Sequence, residues 1–93
     1  MSLEGSDELR DANVGDRFVL HYGGECVSVR IAHKSDIALH MVGVGEYSER
    51  RIMYFFKGEE FKNRMNLHIS VSRFHRENSV SALSSILDVL RVY

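Results

Sequence analysis

The chain has 93 residues, of which 44% are hydrophobic and 27% are charged, so it is long enough for one small packed domain and too apolar for a disordered segment. Twelve basic and 13 acidic side chains give a formal net charge of −1, which predicts no general attraction to nucleic acid or to an anionic membrane. The single cysteine excludes an internal disulfide. No apolar run approaches the roughly 18 residues that a membrane helix needs.

The first residues have the composition of a polar arm ahead of the domain. Residues 1–13 are rich in serine and acidic side chains, with one candidate helical turn from Asp7 to Arg10. They lack the basic and apolar regions of a secretory signal peptide, which together with the lone Cys26 predicts a cytoplasmic protein. We therefore expect a flexible arm over residues 1–13 and a single β-rich domain over residues 14–93.

Alternation of apolar and polar residues predicts a series of β-strands in this domain. The run 17–22 ends at Gly23-Gly24, a pair that favours a hairpin turn because glycine takes positive φ at little cost. In the strand that begins at residue 37, the alternation places His40 on the face opposite Leu39. Further strands are predicted over 25–33, 37–42, 52–56 and 65–74, with a tight turn at 57–60.

The C-terminal residues 79–93 fit two patterns. Val80, Leu83, Leu87 and Leu90 recur at helical spacing, which predicts an amphipathic helix. Residues 87–93 also suit a closing β-strand, because tertiary context often overrides helix propensity in short segments. Both predictions stay open.

Four short segments carry a family resemblance. Residues 36–40 read DIALH, residues 55–58 read FFKG followed by Phe61, residues 24–31 read GECVSVRI, and residues 73–76 read RFHR. Each of these resembles a strand or turn motif of the galectins, which bind β-galactosides. The resemblance implies a mostly β fold, an antiparallel β-sandwich of galectin or jelly-roll type, with 79–93 as helix or last strand. It also implies pairing into a homodimer through edge strands and a non-classical route out of the cell.

The same comparison indicates a ligand site that departs from the family pattern. Galectins carry Asn and Arg two and four residues after the sugar-binding His, where this chain has Val42 and Val44, and they stack galactose on a Trp that this chain lacks. The resemblance therefore implies a non-enzymatic lectin whose β-galactoside binding is weak or lost. The aligned candidates combine an aromatic platform with hydrogen-bond donors and acceptors; they are His40, Tyr47, Glu49 and Arg51.

A second class of protein fits the same strands. A small α+β interaction or regulatory module, with a five-stranded antiparallel sheet and a C-terminal helix, would bind a protein or a nucleic acid. Arg73, His75 and Arg76 around Phe74 form a local basic patch with one stacking ring. Nearby acidic residues such as Glu77 weaken this patch, so nucleic acid is the less favoured partner.

Enzyme and metal chemistry have little support in the sequence. His68-Ile69-Ser70 has the H-x-S form of the two-histidine phosphoesterases, but the second copy of that motif is missing. The five histidines and one cysteine show no metal-ligand spacing. Cys26 lies on a predicted strand, without a neighbouring histidine in sequence to activate it as a nucleophile. We expect no catalytic residues, no metal and no cofactor.

Overall fold

Seven antiparallel strands form one sheet in the computed structural model of the chain, which describes residues 6–77. The strand order is β6-β5-β4-β3-β2-β1-β7, so the first six strands form a meander and β7 returns to pair with β1. The elements are α1 Ser6–Arg10, β1 Arg17–Tyr22, β2 Glu25–Lys34, β3 Ala38–Gly43, a 3-10 turn Gly45–Tyr47, β4 Arg51–Phe55, β5 Glu60–Asn63, β6 His68–Ile69 and β7 Arg73–Arg76. The predicted mostly β, antiparallel fold is confirmed.

The sheet curls until its two ends approach each other over a common core. β5 and β7 lie near opposite ends of the strand order, yet the ring centroids of Phe61 on β5 and Phe74 on β7 are 6.3 Å apart. Phe61 also packs against Tyr54 at 4.8 Å, and Phe74 lies edge-on to Phe18 at 6.4 Å. The curl thus creates an inner face, which buries the core, and an outer face.

The inner face is filled by the apolar residues of the alternating pattern. Burying each of these side chains stabilises the fold by about 1.5–3 kcal/mol. The core contains Phe18, Leu20, Val27, Val29, Ile31, Leu39, Met41, Ile52, Tyr54, Phe61 and Val71.

The segment predicted as a flexible arm also contributes to this core. Leu9 and Ala12 are fully buried. The Lys34 ammonium donates a hydrogen bond to the Arg10 carbonyl at 2.9 Å, and the Arg76 guanidinium reaches the Glu8 carbonyl at 3.3 Å. Packing of the domain therefore begins before residue 14, because α1 covers one end of the curled sheet.

Local turns follow the glycine positions. Gly23 and Gly24 have φ values of +59° and +75°, which confirms the predicted two-residue hairpin between β1 and β2. Gly58 at φ +87° forms the turn before β5.

Both predictions for residues 79–93 lie outside the described residues. Over residues 6–77, no helix has the length and apolarity to span a bilayer.

The strand predicted over residues 65–74 is wrong in its extent. The Asn63 side-chain oxygen accepts hydrogen bonds from the backbone amides of Met65 and Leu67, at 2.9 and 3.0 Å, and closes a loop after β5. As a result Met65 and Leu67 are 69% and 57% exposed, and Leu67 does not point inward as predicted. Only the short β6 and β7 remain of that strand, because a local side-chain bond competes with the ladder.

A β-bulge in β2 decides which face His33 occupies. The pairing register of β2 with β3 shifts between Ile31 and His33. Without the shift, residues two apart would share a face, and His33 would follow the buried Ile31 inward. The bulge instead places His33 opposite His40 on the outer face, with ring centroids 5.3 Å apart.

Candidate functional site

An open cavity of about 620 Å³ lies at one end of the curled sheet. Its walls come from the β1–β2 hairpin, the start of β4, the end of β5 and the short β6. We call it the Arg50 cavity; the lining residues used below are Tyr22, Glu49, Arg50, Arg51, Ile52, Asn63 and Ile69. This lining combines polar side chains with the apolar Ile52 and Ile69.

Arg50 organises one wall of this cavity. Its guanidinium donates to the Glu25 carboxylate at 2.8 Å and to the Tyr22 hydroxyl at 3.0 Å. The same group lies 5.1 Å from the ring centroid of Tyr47 and 5.8 Å from that of Tyr22. Hydrogen bonds to Tyr22 and Glu25 raise the pKa of Arg50, so the guanidinium stays charged and is paired with the Glu25 carboxylate.

A tight turn between β3 and β4 carries the lining residues into place. The Gly43 amide donates to the Arg50 carbonyl at 3.0 Å, and the Arg50 amide donates to the Tyr47 carbonyl at 2.9 Å. The Tyr47 backbone occupies the space that a Cβ on Gly43 would need. Glycine at position 43 is therefore required for the close return of the chain that brings Glu49 and Arg50 to the cavity.

The structure separates the four residues predicted to bind ligand. Glu49 and Arg51 both line the Arg50 cavity, whereas His40 and Tyr47 do not. Tyr47 is half-buried against the core beneath the Arg50 guanidinium, and desolvation followed by the nearby Glu46 raises its pKa.

His40 lies on the outer face of β3, half-buried, opposite Met53. In the same register Val42 lies opposite Arg51, so His40 and Arg51 are diagonal cross-strand neighbours. Arg51 donates to the Ser48 carbonyl at 2.8 Å, which fixes its guanidinium near the rim of the cavity. Arg51 is thus the one predicted residue that connects the cavity with the outer face.

Nine of the described residues that line the cavity were absent from the predicted ligand site. Among them, Tyr22 and Asn63 reach the cavity from β1 and β5, and Arg50 from the β3–β4 turn. Tyr22 and Asn63 lie far from Glu49 along the chain, so the sequence gave no signal of their proximity. The one local clue was the polar run 62–64, since an Asn after a strand often bonds the following backbone, as Asn63 does.

The described part of the chain holds no cluster of metal-binding groups: within residues 6–77, no three His, Cys, Asp or Glu side chains come together to coordinate an ion. Cys26 is exposed, with its sulfur 3.2 Å from His21 Nδ1.

Comparisons of the chain with models of protein families, with curated proteins and with solved structures find no match.

Proposed function

We propose that the chain is a non-enzymatic binding domain and that its ligand is a small carbohydrate held in the Arg50 cavity. We further propose that its scaffold is a divergent galectin-type sandwich in which β-galactoside binding is weakened or lost. The observation that supports the proposal most is that Glu49 and Arg51 line one cavity with the Tyr22 ring and Asn63.

The chemistry of this lining suits a hydroxyl-rich molecule. The Glu49 carboxylate accepts hydrogen bonds from sugar hydroxyls, and the Arg51 guanidinium and the Asn63 amide group donate to them. Ile69, which is only partly buried, provides apolar surface for the C–H face of a sugar ring. The volume of about 620 Å³ lies within the range of small-molecule sites.

The single carboxylate among the described lining residues favours sugar binding over glycoside hydrolysis. Glycoside hydrolysis generally needs two carboxyl groups that flank the scissile bond. Glu49 is the one acidic residue among those that line the cavity in the described part of the chain. Glu25, which does not line the cavity, forms an ion pair with Arg50 at 2.8 Å.

Departures from the galectin pattern explain why β-galactoside binding should be weak. His40, the counterpart of the sugar-binding histidine, lies outside the cavity, and Val42 and Val44 occupy the positions of two polar ligands. Each hydroxyl left unpaired on binding costs about 1–3 kcal/mol. A different neutral sugar, matched to Glu49 and Asn63, would avoid that cost.

The test is a titration of the isotope-labelled protein with lactose, followed by N-acetylglucosamine and glucose, at millimolar concentrations and monitored by heteronuclear NMR. At least one sugar should shift the amide signals of Glu49, Arg51 and Asn63. Glu49→Ala should abolish these shifts because it removes the principal acceptor. Glu46→Ala is the matched control, since Glu46 is exposed in the neighbouring 3-10 turn and does not line the cavity.

Shifts that persist in Glu49→Ala, or that fall outside the cavity, would overturn the assignment of the site. No response to any of the three sugars would overturn the carbohydrate proposal itself.

A further inference from the structure

The described strands carry most of their positive charge on one face. Alternation and register place five Lys or Arg side chains at outward positions, and all five histidines join them on that face. Glu60 is the one acidic residue at an outward position of these strands. We call this surface the basic face; its five permanent cations are Arg17, Arg30, Arg51, Lys62 and Arg73.

The register aligns three of these arginines across four strands. Arg17 lies opposite Arg30, Arg30 opposite Val42, and Val42 opposite Arg51. At about 4.8 Å between neighbouring strands, the row extends about 14 Å. Like charges directly opposite each other destabilise a sheet, so the Arg17–Arg30 pair is unfavourable for the free protein.

These cations lack acidic partners within the described residues. The ion pairs found there join Arg50 to Glu25, Arg76 to Asp16 and His68 to Glu60. None of them neutralises Arg17, Arg30, Lys62 or Arg73. The positive charge of this face also affects His21. Its pKa is lowered by desolvation and further by Arg73 and His75.

Rings lie between the charges on the same face. His33 and His40 have ring centroids 5.3 Å apart, and His21 and His75 have the same separation. Phe55 is half-buried at an outward position of β4. Surfaces that bind unpaired bases combine such rings with Arg and Lys side chains.

We propose that the basic face binds single-stranded nucleic acid. The row of arginines and Lys62 contact phosphates, and the ring of His40, with Phe55 beside it, stacks on unpaired bases. The rings favour a single strand over a duplex, whose bases are already stacked, and over a sulfated glycan, which has none. This activity goes beyond the proposed function, because it uses the outer side of the sheet and not the Arg50 cavity.

The first test is fluorescence anisotropy with a labelled oligothymidine or oligouridine of about 20 nucleotides, longer than the site of one small β-domain. The wild-type protein should bind and should lose affinity as the salt concentration rises from about 50 to about 200 mM. Arg30→Ala should weaken binding roughly three- to tenfold and reduce the log–log salt slope by about 0.7.

Lys34→Ala is the charge-matched control, because Lys34 lies opposite the buried Leu39 at the inward position that ends β2, and its ammonium donates to the Arg10 carbonyl. It should change the affinity by less than about twofold. Equal losses in Lys34→Ala and Arg30→Ala would show attraction to net charge alone and would overturn the proposal. Thermal unfolding of each variant confirms that it is folded.

A second pair of variants tests stacking at about pH 8, where histidine is largely neutral. His40→Ala should weaken binding, and His40→Phe should restore it because a ring is retained. Equal affinity for duplex DNA, or binding to heparin or to vesicles of anionic phospholipid but not to the oligonucleotide, would overturn the assignment to single strands.

Discussion

The inner and outer faces of the sheet are built from the same strands but differ in nearly every property. In β1, Phe18 and Leu20 are fully buried, while Arg17 is exposed and His21 partly so. In β2, Val29 and Arg30 are neighbours on opposite sides. The inner face holds the core, and the outer face carries cations without acidic partners among the described residues.

This difference shows how a nearly neutral chain can present a charged surface. Carboxylates occur mainly before β1 and in turns, and the described strands contain two of them, Glu25 and Glu60. Because side chains alternate along a strand, adjacent residues contribute separately to the core and to the charged surface. The net charge of −1 is therefore uninformative about either face.

The largest expected effect distinguishes the two faces at adjacent positions of β5. Phe61→Ala should destabilise the protein by about 3–5 kcal/mol, because Phe61 joins the two ends of the sheet through Tyr54 and Phe74. Lys62→Ala, on the outer face, should change the free energy of unfolding by about 0.5 kcal/mol or less. Urea unfolding followed by circular dichroism measures both, and equal losses would contradict the division between faces.

The next largest effect concerns the turn between β3 and β4. Gly43→Ala should cost about 1–3 kcal/mol, because the new Cβ meets the Tyr47 backbone. That loss corresponds to a fall of about 4–8 °C in Tm per kcal/mol for a domain of this size. Ser48→Ala, at an exposed position of the same turn, is the control and should stay within about 0.5 kcal/mol. An unchanged Tm for Gly43→Ala would refute the close approach.

A smaller effect of opposite sign is expected on the outer face. Arg17→Glu converts a like-charge pair with Arg30 into an opposite-charge pair. It should stabilise the sheet by about 0.2–1 kcal/mol and weaken binding to the oligonucleotide at the same time. A variant that loses stability would show that the Arg17–Arg30 pair is not an unfavourable feature of the free protein.

The smallest effect is a pH dependence. Desolvation, Arg73 and His75 hold the pKa of His21 below its ordinary value of 6.5, so the unfolded state binds more protons in that range. Stability from this site is therefore complete above about pH 6.5 and declines as the pH falls toward the lowered pKa. Urea midpoints at about pH 7.5 and 5.5 should differ less in His21→Gln than in the wild-type protein.

Local patterns were sufficient for most strands. The alternation in 17–22 and 25–33, the Gly23-Gly24 pair and the orientation of His40 relative to Leu39 all follow from residues within one strand or turn. The predicted strand over 65–74 failed because the bond from Asn63 to later amides is not part of any periodic pattern.

The candidate site was accessible to sequence analysis only in part. Glu49 and Arg51 were identified through the galectin resemblance, and both line the Arg50 cavity. Tyr22 and Asn63 were missed because the contacts that bring them there are long-range. The basic face was predicted only in part, through Arg73 and His75 of the local basic patch, because the alignment of Arg17 and Arg30 depends on strand register.

The sequence alone determined where the chain extends and turns and which residues alternate, because these properties depend on neighbours within a few positions. The tertiary structure decided the curl that joins Phe61 to Phe74, the bulge that turns His33 outward and the closure of the Arg50 cavity. Register and curvature are set by the sum of packing contacts between distant segments. No single stretch of sequence encodes that sum, so the two proposed binding surfaces became visible only in the folded chain.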